Sequence, residues 1–510
     1  MTLSLDYYHR FCGRTIYSSV VSPALKSMKD GTPTLKSYFN KALIMIQNFG
    51  GNLTFHPTHQ YTPHSEAEVL EILSRHRGQR IKVVGRLHSW SEVARSDEVL
   101  LDLRHLNQVD TEQRQDRVWA RAGAGCQIKK LLADLEQQGL TTPSLGLITE
   151  QAIAGAISTG THGSGKHSLS HYMDEVRIAI YDPVSGEPVI RTINAGPELW
   201  AARCSLGSVG VILSVGFWAR PLYNVEECLA RHATLEDALR AEADTPLQQF
   251  YLVPWAWNYL GQHRREVNAP RSTLAWLYGV YCFLTFDIGM HLVVLLTERV
   301  LRSRWAIRTF FRHLLPWTVI RGWKVVDQSD KLLVMEHELF RHIEIEVFVK
   351  RTVLPESLAF TQELLRHFAG EKDALSETTR SRLSSLGLLA ELESGAGLFI
   401  YNYLVCIRKV LADDTLLSMA SSDDEPYYAI SFTSYAHPTQ REGFFRFAHC
   451  LSAMFAGRPH WGKYCPLTPE QVVNLYPHLP EFREMCRSLD PQRVFRNDWI
   501  NRTVFGEGAL

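Results

Sequence analysis

The sequence predicts an α+β protein of two large domains, and three observations carry that prediction. The chain has 510 residues, which at about 150 residues per domain gives two to three folding units. Hydrophobic residues make up 45% and charged residues 21%, as in ordinary globular proteins. Between residues 54 and 221, helical patterns alternate with short β-rich runs. A chain of this length and composition is expected to bury a deep core.

Local signals predict the elements of the first domain. Ser65 and Glu68 form a capping box that opens a helix, and Gly78 ends that helix. Gly139 closes a second helix over residues 127–138. Runs of β-branched and apolar residues predict strands over residues 81–85, 99–103, 118–123 and 175–182. A turn and a return strand are predicted directly after the strand at 175–182.

Charge and cysteine content exclude some classes of protein. Lys plus Arg equals Asp plus Glu at 54 each, so the chain has no overall positive field to hold nucleic acid. The nine cysteines include no C-x-x-C pair, which argues against structural zinc and against a disulfide scaffold. The sequence therefore predicts reduced thiols, a cytoplasm-facing protein and no nucleic-acid partner.

One apolar stretch stands out. Residues 274–296 are long enough to cross a bilayer but contain Asp287 and His291, and residues 299–324 carry six arginines beside Trp and Phe with no acidic residue. Cations beside aromatic residues suit an anionic membrane surface. A buried helix pair and a true span remain alternatives, and a span would place Asp287 in hydrocarbon at a cost of about 2.5 to 3.5 kcal/mol. The favoured interpretation is a patch that lies on the membrane.

Two glycine-rich loops indicate a phosphate-binding site. The first, GRLHSW at residues 85–90, follows a predicted strand, and the second, TGTHGSG at residues 159–165, follows a run of small residues. Missing side chains let backbone N–H groups approach a pyrophosphate, so two such loops suggest a dinucleotide. The absence of G-x-G-x-x-G argues against a Rossmann site. His162, His167 and His171 also have metal-ligand spacing, but no acidic or thiolate residue accompanies them.

Several motifs together resemble one family of flavoproteins. They are NFGGN from residue 48, the G-x-x-H-S loop, AGAGCQIKKL, AIAGAISTGTHGSG, SLGSVGVILSVGF, HWGKY from residue 460 and DPQRVFRN near the end. This set, spread from residue 48 to the C-terminus, resembles the sugar-lactone and polyol oxidases of the vanillyl-alcohol-oxidase superfamily, such as L-gulonolactone, D-arabinono-1,4-lactone and alditol oxidases. The resemblance implies a PCMH-type two-subdomain FAD-binding domain and an α+β substrate (cap) domain with a large antiparallel sheet.

The same resemblance implies FAD as the cofactor, covalently attached through His88. A neutral imidazole is a good nucleophile, and the link would raise the flavin potential and prevent loss of the cofactor. Asn497 resembles a contact to the pyrimidine edge of the flavin ring. The residues expected to bind the cofactor are Gly85, Arg86, Leu87, His88, Ser89, Gly155, Ser158, Thr159, Gly160, Thr161, His162, Gly163, Gly210, Ile212 and Asn497. No metal site is expected.

Three residues are the expected catalytic groups. Strand alternation places Glu344, Glu346 and Phe348 on one face, and Glu346 occupies the position of the family's E-x-x-x-P carboxylate, with Lys350 in place of proline. Glu346 is expected to contact the substrate hydroxyl. His460 and Lys463 lie three residues apart, and a cation there would stabilise negative charge on the reduced cofactor. Ser431 and His437 are further candidates for the pocket lining.

The predicted function is FAD-dependent oxidation of a CH–OH group of a sugar lactone or polyol, with oxygen giving hydrogen peroxide or with another electron acceptor. Two alternatives remain open: a flavoenzyme acting on a lipid-linked sugar, similar to decaprenylphosphoryl-ribose oxidases, and a non-catalytic flavin-fold protein that binds membranes. The predicted domains are an N-terminal arm at 1–47 without a secretory signal, an FAD-binding domain at 48–221, a cap domain at 222–487 that contains the membrane-associating segment at 273–325, and a C-terminal segment at 488–510 that returns to the flavin.

Overall fold

A computed structural model describes residues 45–297, 303–335, 342–434 and 438–507. The strands, in chain order, are β1 (Ile46–Gln47), β2 (Thr54–Phe55), β3 (His59–Tyr61), β4 (Ile81–Val84), β5 (Val99–Asp102), β6 (Val109–Arg114), β7 (Arg117–Gly123), β8 (Leu140–Thr141), β9 (Met173–Tyr181), β10 (Pro188–Ile193), β11 (Val211–Pro221), β12 (Asn224–His232), β13 (Gln249–Val253), β14 (Asn258–Val267), β15 (Val325–Gln328), β16 (Ile343–Lys350), β17 (Val405–Val410), β18 (Tyr427–Ser434) and β19 (Arg458–Pro459).

The α-helices are α1 (Glu66–Arg75), α2 (Ile128–Glu136), α3 (Ile153–Ser158), α4 (Gly196–Arg203), α5 (Leu235–Arg240), α6 (Ala275–Cys282), α7 (Met290–Leu295), α8 (Arg304–Thr309), α9 (Leu315–Thr318), α10 (Ser329–Leu332), α11 (Leu354–Phe368), α12 (Glu377–Ser385), α13 (Leu389–Glu393), α14 (Pro438–Phe455), α15 (Pro469–Leu475), α16 (Leu479–Leu489) and α17 (Asp498–Ile500). The 3₁₀ segments are Glu92–Ala94, Leu169–Tyr172, Ala241–Ala243 and Arg351–Val353, and the π-helical segments are Phe283–Gly289, Phe310–Leu314 and Asn501–Phe505.

Four sheets organise these elements. Strands β3, β5 and β4 form a small parallel sheet, and β1 pairs with β2. An antiparallel sheet has the order β10-β9-β11-β7-β6, with β8 added beside β11. The largest sheet is antiparallel, with the order β15-β12-β14-β13-β17-β18-β16-β19. The expected α+β class with a large antiparallel sheet is therefore confirmed.

The local signals in the first domain have the predicted effect. The Ser65 side chain accepts a hydrogen bond from the Glu68 backbone N–H and caps α1. The capping box is incomplete, because the Glu68 carboxylate accepts from the backbone N–H of His64 instead of Ser65. Gly78 and Gly139 both have positive φ after their helices, a backbone conformation that costs glycine little. Local hydrogen bonding alone therefore sets these helix ends.

The hydrophobic cores show where the C-terminal part of the chain packs. Trp461, Tyr476, Phe482 and Leu489 belong to the same core as the buried side chains of the first domain. A second core, the cap core, is built from the large sheet and α11. The apolar side chains of α15 and α16 therefore already pack on the first domain before residue 488, and the boundary at 488 stays a prediction.

The apolar segment forms a helix that is exposed on one side. Ala275–Leu295 is, within the described residues, a helix long and apolar enough to cross a membrane by length and composition, although only 24% of its most apolar window is buried. Tyr278, Met290 and Val294 are buried, whereas Trp276, Leu284 and Leu292 are exposed. The helix therefore packs on the domain along one stripe and leaves an apolar stripe uncovered.

Candidate active site

A cavity separates the glycine-rich loops from one face of the large sheet. Four cross-strand neighbours form a row on that face: Tyr251 pairs with Cys406, Cys406 with Ser431, and Ser431 with Glu346. All four line the cavity. Since side chains alternate along a strand, Arg408, Glu344 and Thr433 lie on the same face and also line it. The sheet therefore supplies one wall that carries charged and polar side chains.

The glycine-rich loops form the opposite wall. Most of the residues expected to bind the cofactor line the cavity: Gly85, Arg86, Leu87, His88, Ser89, Gly155, Ser158, Thr159, Thr161, His162, Gly210 and Ile212. A Cβ added at Gly155 would meet no atom within 4 Å, so this backbone is open to the cavity. Leu87 has φ +57°, a left-handed conformation that favours glycine and strains leucine. The loop geometry thus leaves backbone groups accessible to a ligand.

Two of the expected glycines do not line the cavity. A Cβ at Gly163 would lie 2.1 Å from the carbonyl oxygen of Leu145, and one at Gly160, whose φ is +77°, would lie 2.9 Å from Met419. Both glycines allow close packing of the loop on its neighbours. Their contribution is to the shape of the loop and not to the cavity wall.

His88 lies in the cavity wall beside aromatic rings. Its ring stacks on Phe49 with 4.9 Å between ring centroids. Burial lowers the pKa of His88 to about 4. The imidazole is therefore neutral at neutral pH, as a nucleophilic nitrogen requires.

The HWGK segment reaches the cavity through backbone hydrogen bonds. Strand β19 pairs with β16, and the His460 N–H then donates to the Glu346 carbonyl at 2.9 Å. The Trp90 N–H donates to the Gly462 carbonyl at 2.7 Å, which joins this segment to the first glycine-rich loop. Residues about 370 positions apart in the sequence are thus held together. His460 and Lys463 both line the cavity, on the side predicted from their spacing.

Glu346 is the centre of a buried charge cluster. Its Oε1 accepts hydrogen bonds from Arg408 Nη2 at 2.8 Å and from the Ser431 hydroxyl, and its Oε2 accepts from Lys463 Nζ at 2.8 Å. His162 Nε2 lies 3.4 Å from the same Oε2. Lys463 Nζ also lies 2.6 Å from Glu344 Oε1. Two carboxylates and two cations thus compensate each other, with Glu346 and Arg408 buried and Glu344 and Lys463 partly exposed.

The cluster sets the protonation of its members. Burial alone raises the pKa of Glu346, but Lys463 and Arg408 hold it well below its usual range. Burial, with Lys463 adding to it, holds the pKa of His460 well below 6.5. His460 is therefore neutral, and of these two residues Lys463 is the one that pairs with the carboxylates of Glu344 and Glu346.

Hydrogen bonding also assigns the tautomer of His460. Its Nδ1 accepts from the Gly462 N–H at 3.0 Å, so in the neutral ring the proton is on Nε2. His460 is therefore a hydrogen-bond donor at Nε2. His162 is different, because its Nδ1 donates to the Gly163 carbonyl at 2.9 Å.

His162, Glu346 and His460 also lie close enough together to hold a metal ion, with ligand atoms within 4.8 Å of one another. Both Glu346 oxygens already accept from cationic donors, and a divalent ion would be repelled by Lys463 and Arg408. The alternative of a metal site formed by His162, His167 and His171 is not supported. The side chain of His167 contacts the Ala412 carbonyl, and that of His171 contacts Asp414.

Asn497 does not reach the cavity, which corrects the expectation of a contact to the cofactor ring. Its side-chain amide donates to the carbonyls of Glu92, Val93 and Arg95, and its Oδ1 caps α17 at the Ile500 N–H. An amide committed to four backbone groups holds the turn after the first loop in place. His437 lies outside the described residues.

Sequence reasoning missed several residues of the cavity. Arg408 and Lys409 are adjacent cations in the otherwise apolar run VCIRKV, and strand alternation could have marked one of them as a buried charge. Lys82 in strand β4 is buried and donates to the carbonyls of Leu206 and Phe495 at 2.9 and 3.2 Å. His291 and Tyr403 also line the cavity, with 5.7 Å between their ring centroids. No local pattern identifies these last two, because separate elements bring them together.

The cavity fits a flavin dinucleotide by the chemistry of its walls. The open backbone at Gly155 and the two glycine-rich loops suit a pyrophosphate, and the sheet wall offers hydrogen-bond donors and a cation. The fold and the site together define the class of protein, an oxidoreductase that uses a bound dinucleotide.

Comparison with known proteins identifies the family. Residues 57–182 match a family described as FAD binding domain, and residues 290–503 match one described as D-arabinono-1,4-lactone oxidase. A long-chain alcohol oxidase of an uncultured marine euryarchaeote is 51% identical over 468 residues, covering 91% of this chain and 98% of that protein. The L-gulonolactone oxidase of Scyliorhinus torazame is 25% identical over 473 residues, or 90% and 98% of the two chains. The chain belongs to this family of FAD-linked oxidases, which includes the aldonolactone oxidases.

Solved structures support the fold. A solvent-stable cholesterol oxidase superposes with a TM-score of 0.65 at 15% identity, covering 90% of this chain and 97% of that chain. The PCMH-type FAD-binding fold implied by the sequence motifs is confirmed.

Proposed function

We propose that the protein oxidises the CH–OH group of an alcohol that carries a long apolar chain. The observation that carries this proposal is a cavity whose lining combines a charge cluster with a residue of the exposed apolar helix. Glu346 and Lys463 line the cavity, and so does His291 of that helix. The name of the relative that is 51% identical supports the same class of substrate.

When bound, FAD supplies the two-electron acceptor that takes hydride from the alcohol carbon and passes both electrons to oxygen, which gives hydrogen peroxide. Lys463 has three N–H donors, of which two reach Glu344 and Glu346, and the third is the donor for the substrate oxygen. His460 Nε2–H is a second donor on the same wall. These two groups orient the hydroxyl and stabilise negative charge in the transition state.

Glu344 is the better acceptor for the hydroxyl proton. Glu346 is held ionised by Lys463 and Arg408, and its oxygens already accept three hydrogen bonds, so it is a weak base. Glu344 lies two residues before Glu346 on the same face of β16. Its Oε1 is 2.6 Å from Lys463 Nζ and 3.9 Å from Arg408 Nη2. In this proposal Glu346 positions the two cations, and Glu344 takes the proton.

Covalent attachment of FAD through His88 is part of the proposal. The neutral, buried imidazole in the first glycine-rich loop supports it. Acid precipitation of the wild-type protein is expected to leave the yellow cofactor in the pellet, whereas His88→Ala is expected to release it into the supernatant. Release from both proteins would contradict the covalent link.

An aldonolactone or polyol is the second candidate substrate. The relatives that bear lactone-oxidase names and the charged donors around Glu346 favour it, because hydroxylated rings need several polar contacts. A lipid-linked sugar would combine both features.

We also propose that the protein lies on the cytoplasmic side of a membrane. Of the seventeen exposed large hydrophobic side chains among the described residues, eleven lie between residues 274 and 320, and Trp305 and Trp317 are 74% and 88% exposed. Arginines between them suit anionic lipid headgroups. Reduced thiols favour the cytoplasmic side: the eight cysteines in the described residues are free.

Contacts of the apolar helix favour lying on the membrane over spanning it. The Tyr278 hydroxyl donates to Glu227 at 2.6 Å, and Glu227 is paired with Arg264 at 2.6 Å inside the sheet. A spanning helix would leave this buried pair without its cover. Flotation with anionic vesicles tests the proposal. The wild-type protein is expected to float with the vesicles, and replacing Trp305 and Trp317 with Glu is expected to abolish that binding.

Anaerobic flavin reduction with a substrate panel tests the proposed function. The panel contains primary alcohols from butanol to hexadecanol, gulono- and arabinono-1,4-lactones, polyols and a lipid-linked pentose. Fastest bleaching by the long alcohols is expected. Fastest bleaching by a lactone or by the lipid-linked sugar would establish those alternatives, and no bleaching by any compound would favour a non-catalytic flavoprotein.

A further inference from the structure

We infer that the apolar chain of the substrate occupies the cavity end beside His291 and Tyr403, behind the membrane-facing helix. This inference rests on the proposed function and names the binding site for the chain. It makes His291 and Tyr403 the residues that determine chain-length specificity.

The order of residues along two strands gives the direction. Strands β16 and β17 both pair antiparallel with β18, so they run in the same direction. Along β17 the cavity wall changes from Arg408 to Cys406 and then to Leu404, and along β16 it changes from Glu346 to Glu344 and then reaches His342. Four residues of a strand cover about 13 Å. A hydroxyl held at Lys463 therefore leaves room for a chain that runs toward Leu404 and His342.

The side chains at the far end include no carboxylate, lysine or arginine. His291, Met335, His342, Tyr403 and Leu404 line it, and the rings of His291 and Tyr403 are 5.7 Å apart. Burial, with His342 adding to it, lowers the pKa of His291 to about 4, so this ring carries no charge at neutral pH. An alkyl chain placed against His291 therefore desolvates no charge on that ring.

The wall at this end is one helix thick. His291 is 9% exposed and lines the cavity, while the next residue, Leu292, is 53% exposed on the outer surface. Met290 packs into the cap core, and Val294 is buried as well, so this part of the helix is held on the domain. The same short segment therefore contacts both the cavity and the surface proposed to lie on lipid, so a chain beside His291 ends next to the source of apolar substrates.

Enlarging the side chain at 291 tests the inference. His291→Trp is expected to lower kcat/KM for hexadecanol at least tenfold and that for butanol less than twofold, measured by anaerobic flavin reduction in one detergent. His105→Trp makes the same change at an exposed histidine outside the cavity, and it is expected to change neither value. Equal losses for both alcohols, or no loss, would overturn the inference.

A labelling experiment on the wild-type protein avoids any folding defect of the variant. A long-chain alcohol with a diazirine at the end remote from the hydroxyl is expected to label Tyr403 or the helix Ala275–Leu295. Labelling confined to residues 45–221 would overturn the inference. If no alcohol reduces the wild-type flavin, the proposed function itself is wrong. If hexadecanol reduces the flavin, but the labelled residues and the effect of His291→Trp on the two kcat/KM values differ from those expected, only this inference is wrong.

Discussion

The large sheet contains two buried carboxylate–arginine pairs, and their surroundings differ. Glu227 and Arg264 are directly paired neighbours on β12 and β14, and their oxygen and nitrogen lie 2.6 Å apart. Glu346 is on β16 and Arg408 is on β17, and β18 lies between these two strands. Their oxygen and nitrogen atoms are 2.8 Å apart. Each carboxylate is 1% exposed. The pairs have the same chemistry and the same burial.

What covers each pair separates them. Tyr278 of the apolar helix closes over Glu227, and the contact with that carboxylate, after burial, raises the pKa of the tyrosine. Glu346 instead faces the cavity, beside Lys463 and the neutral His460. A sealed pair holds the helix on the sheet, whereas an open pair supplies a polar wall that a substrate can reach. The comparison teaches that burial of an ion pair does not by itself indicate function.

The largest effect is expected at the sealed pair. Glu227→Gln leaves the Arg264 charge buried without its partner, and such a change costs about 3 to 5 kcal/mol of unfolding free energy. Thermal and urea unfolding measure it, with flavin reduction by substrate assayed on the protein that remains folded. Glu226→Gln, next to it on the other strand face, is the control and is expected to change stability by less than about 0.5 kcal/mol. A Glu227→Gln protein as stable as wild type would contradict the assigned role.

The next effect is expected at the open pair, where the rate changes in addition to any loss of stability from leaving the buried Arg408 without its partner. Glu346→Gln frees Lys463 and Arg408 from their shared anion, and we expect flavin reduction to slow about 100-fold, as for loss of one transition-state contact. Glu344→Gln is expected to slow it by at least as much and to remove the pH dependence of the step. If Glu344→Gln keeps the wild-type rate while Glu346→Gln does not, Glu346 is the proton acceptor.

A smaller effect is expected when the seal is loosened and the ions are kept. Tyr278→Phe removes one hydrogen bond to a buried carboxylate, which costs about 1 to 3 kcal/mol. Tyr281→Phe provides the control, because the Tyr281 hydroxyl contacts no carboxylate: it donates to the Thr318 carbonyl and accepts from the Ile320 N–H. Differential scanning calorimetry measures both. Equal changes in Tm would show that the Glu227 contact has no special weight.

The smallest effect concerns pH and the histidines of the open cavity. His88 and His291 have pKa values of about 4 in the folded protein, below the ordinary 6.5. Between these values the unfolded chain binds protons that the folded protein does not, so stability is full above pH 6.5 and is lost as the pH falls toward 4. His291→Asn is expected to reduce the fall in Tm between pH 6.5 and 4.5. An unchanged slope would contradict the cause given for the shift.

Local patterns predicted much of the fold. The Ser65 cap, the glycine C-caps and the β-rich runs depend on neighbouring residues, and the structure places them where the sequence does. The packing of α15 and α16 on the first domain was not predicted, because their packing partners are far away in the sequence. Asn497 was wrong for a similar reason, since its amide is satisfied by backbone groups around Glu92, some 400 residues earlier.

The sequence by itself determined the family, the two glycine-rich loops and the face of β16 that carries Glu344 and Glu346, because spacing and strand alternation are local properties. Only the tertiary structure decided that Arg408 neutralises Glu346, that His460 is uncharged and that His291 stands between the cavity and the outer surface. Charge, tautomer and access depend on desolvation and on partners brought together by the register of distant strands, and no local sequence pattern contains that information.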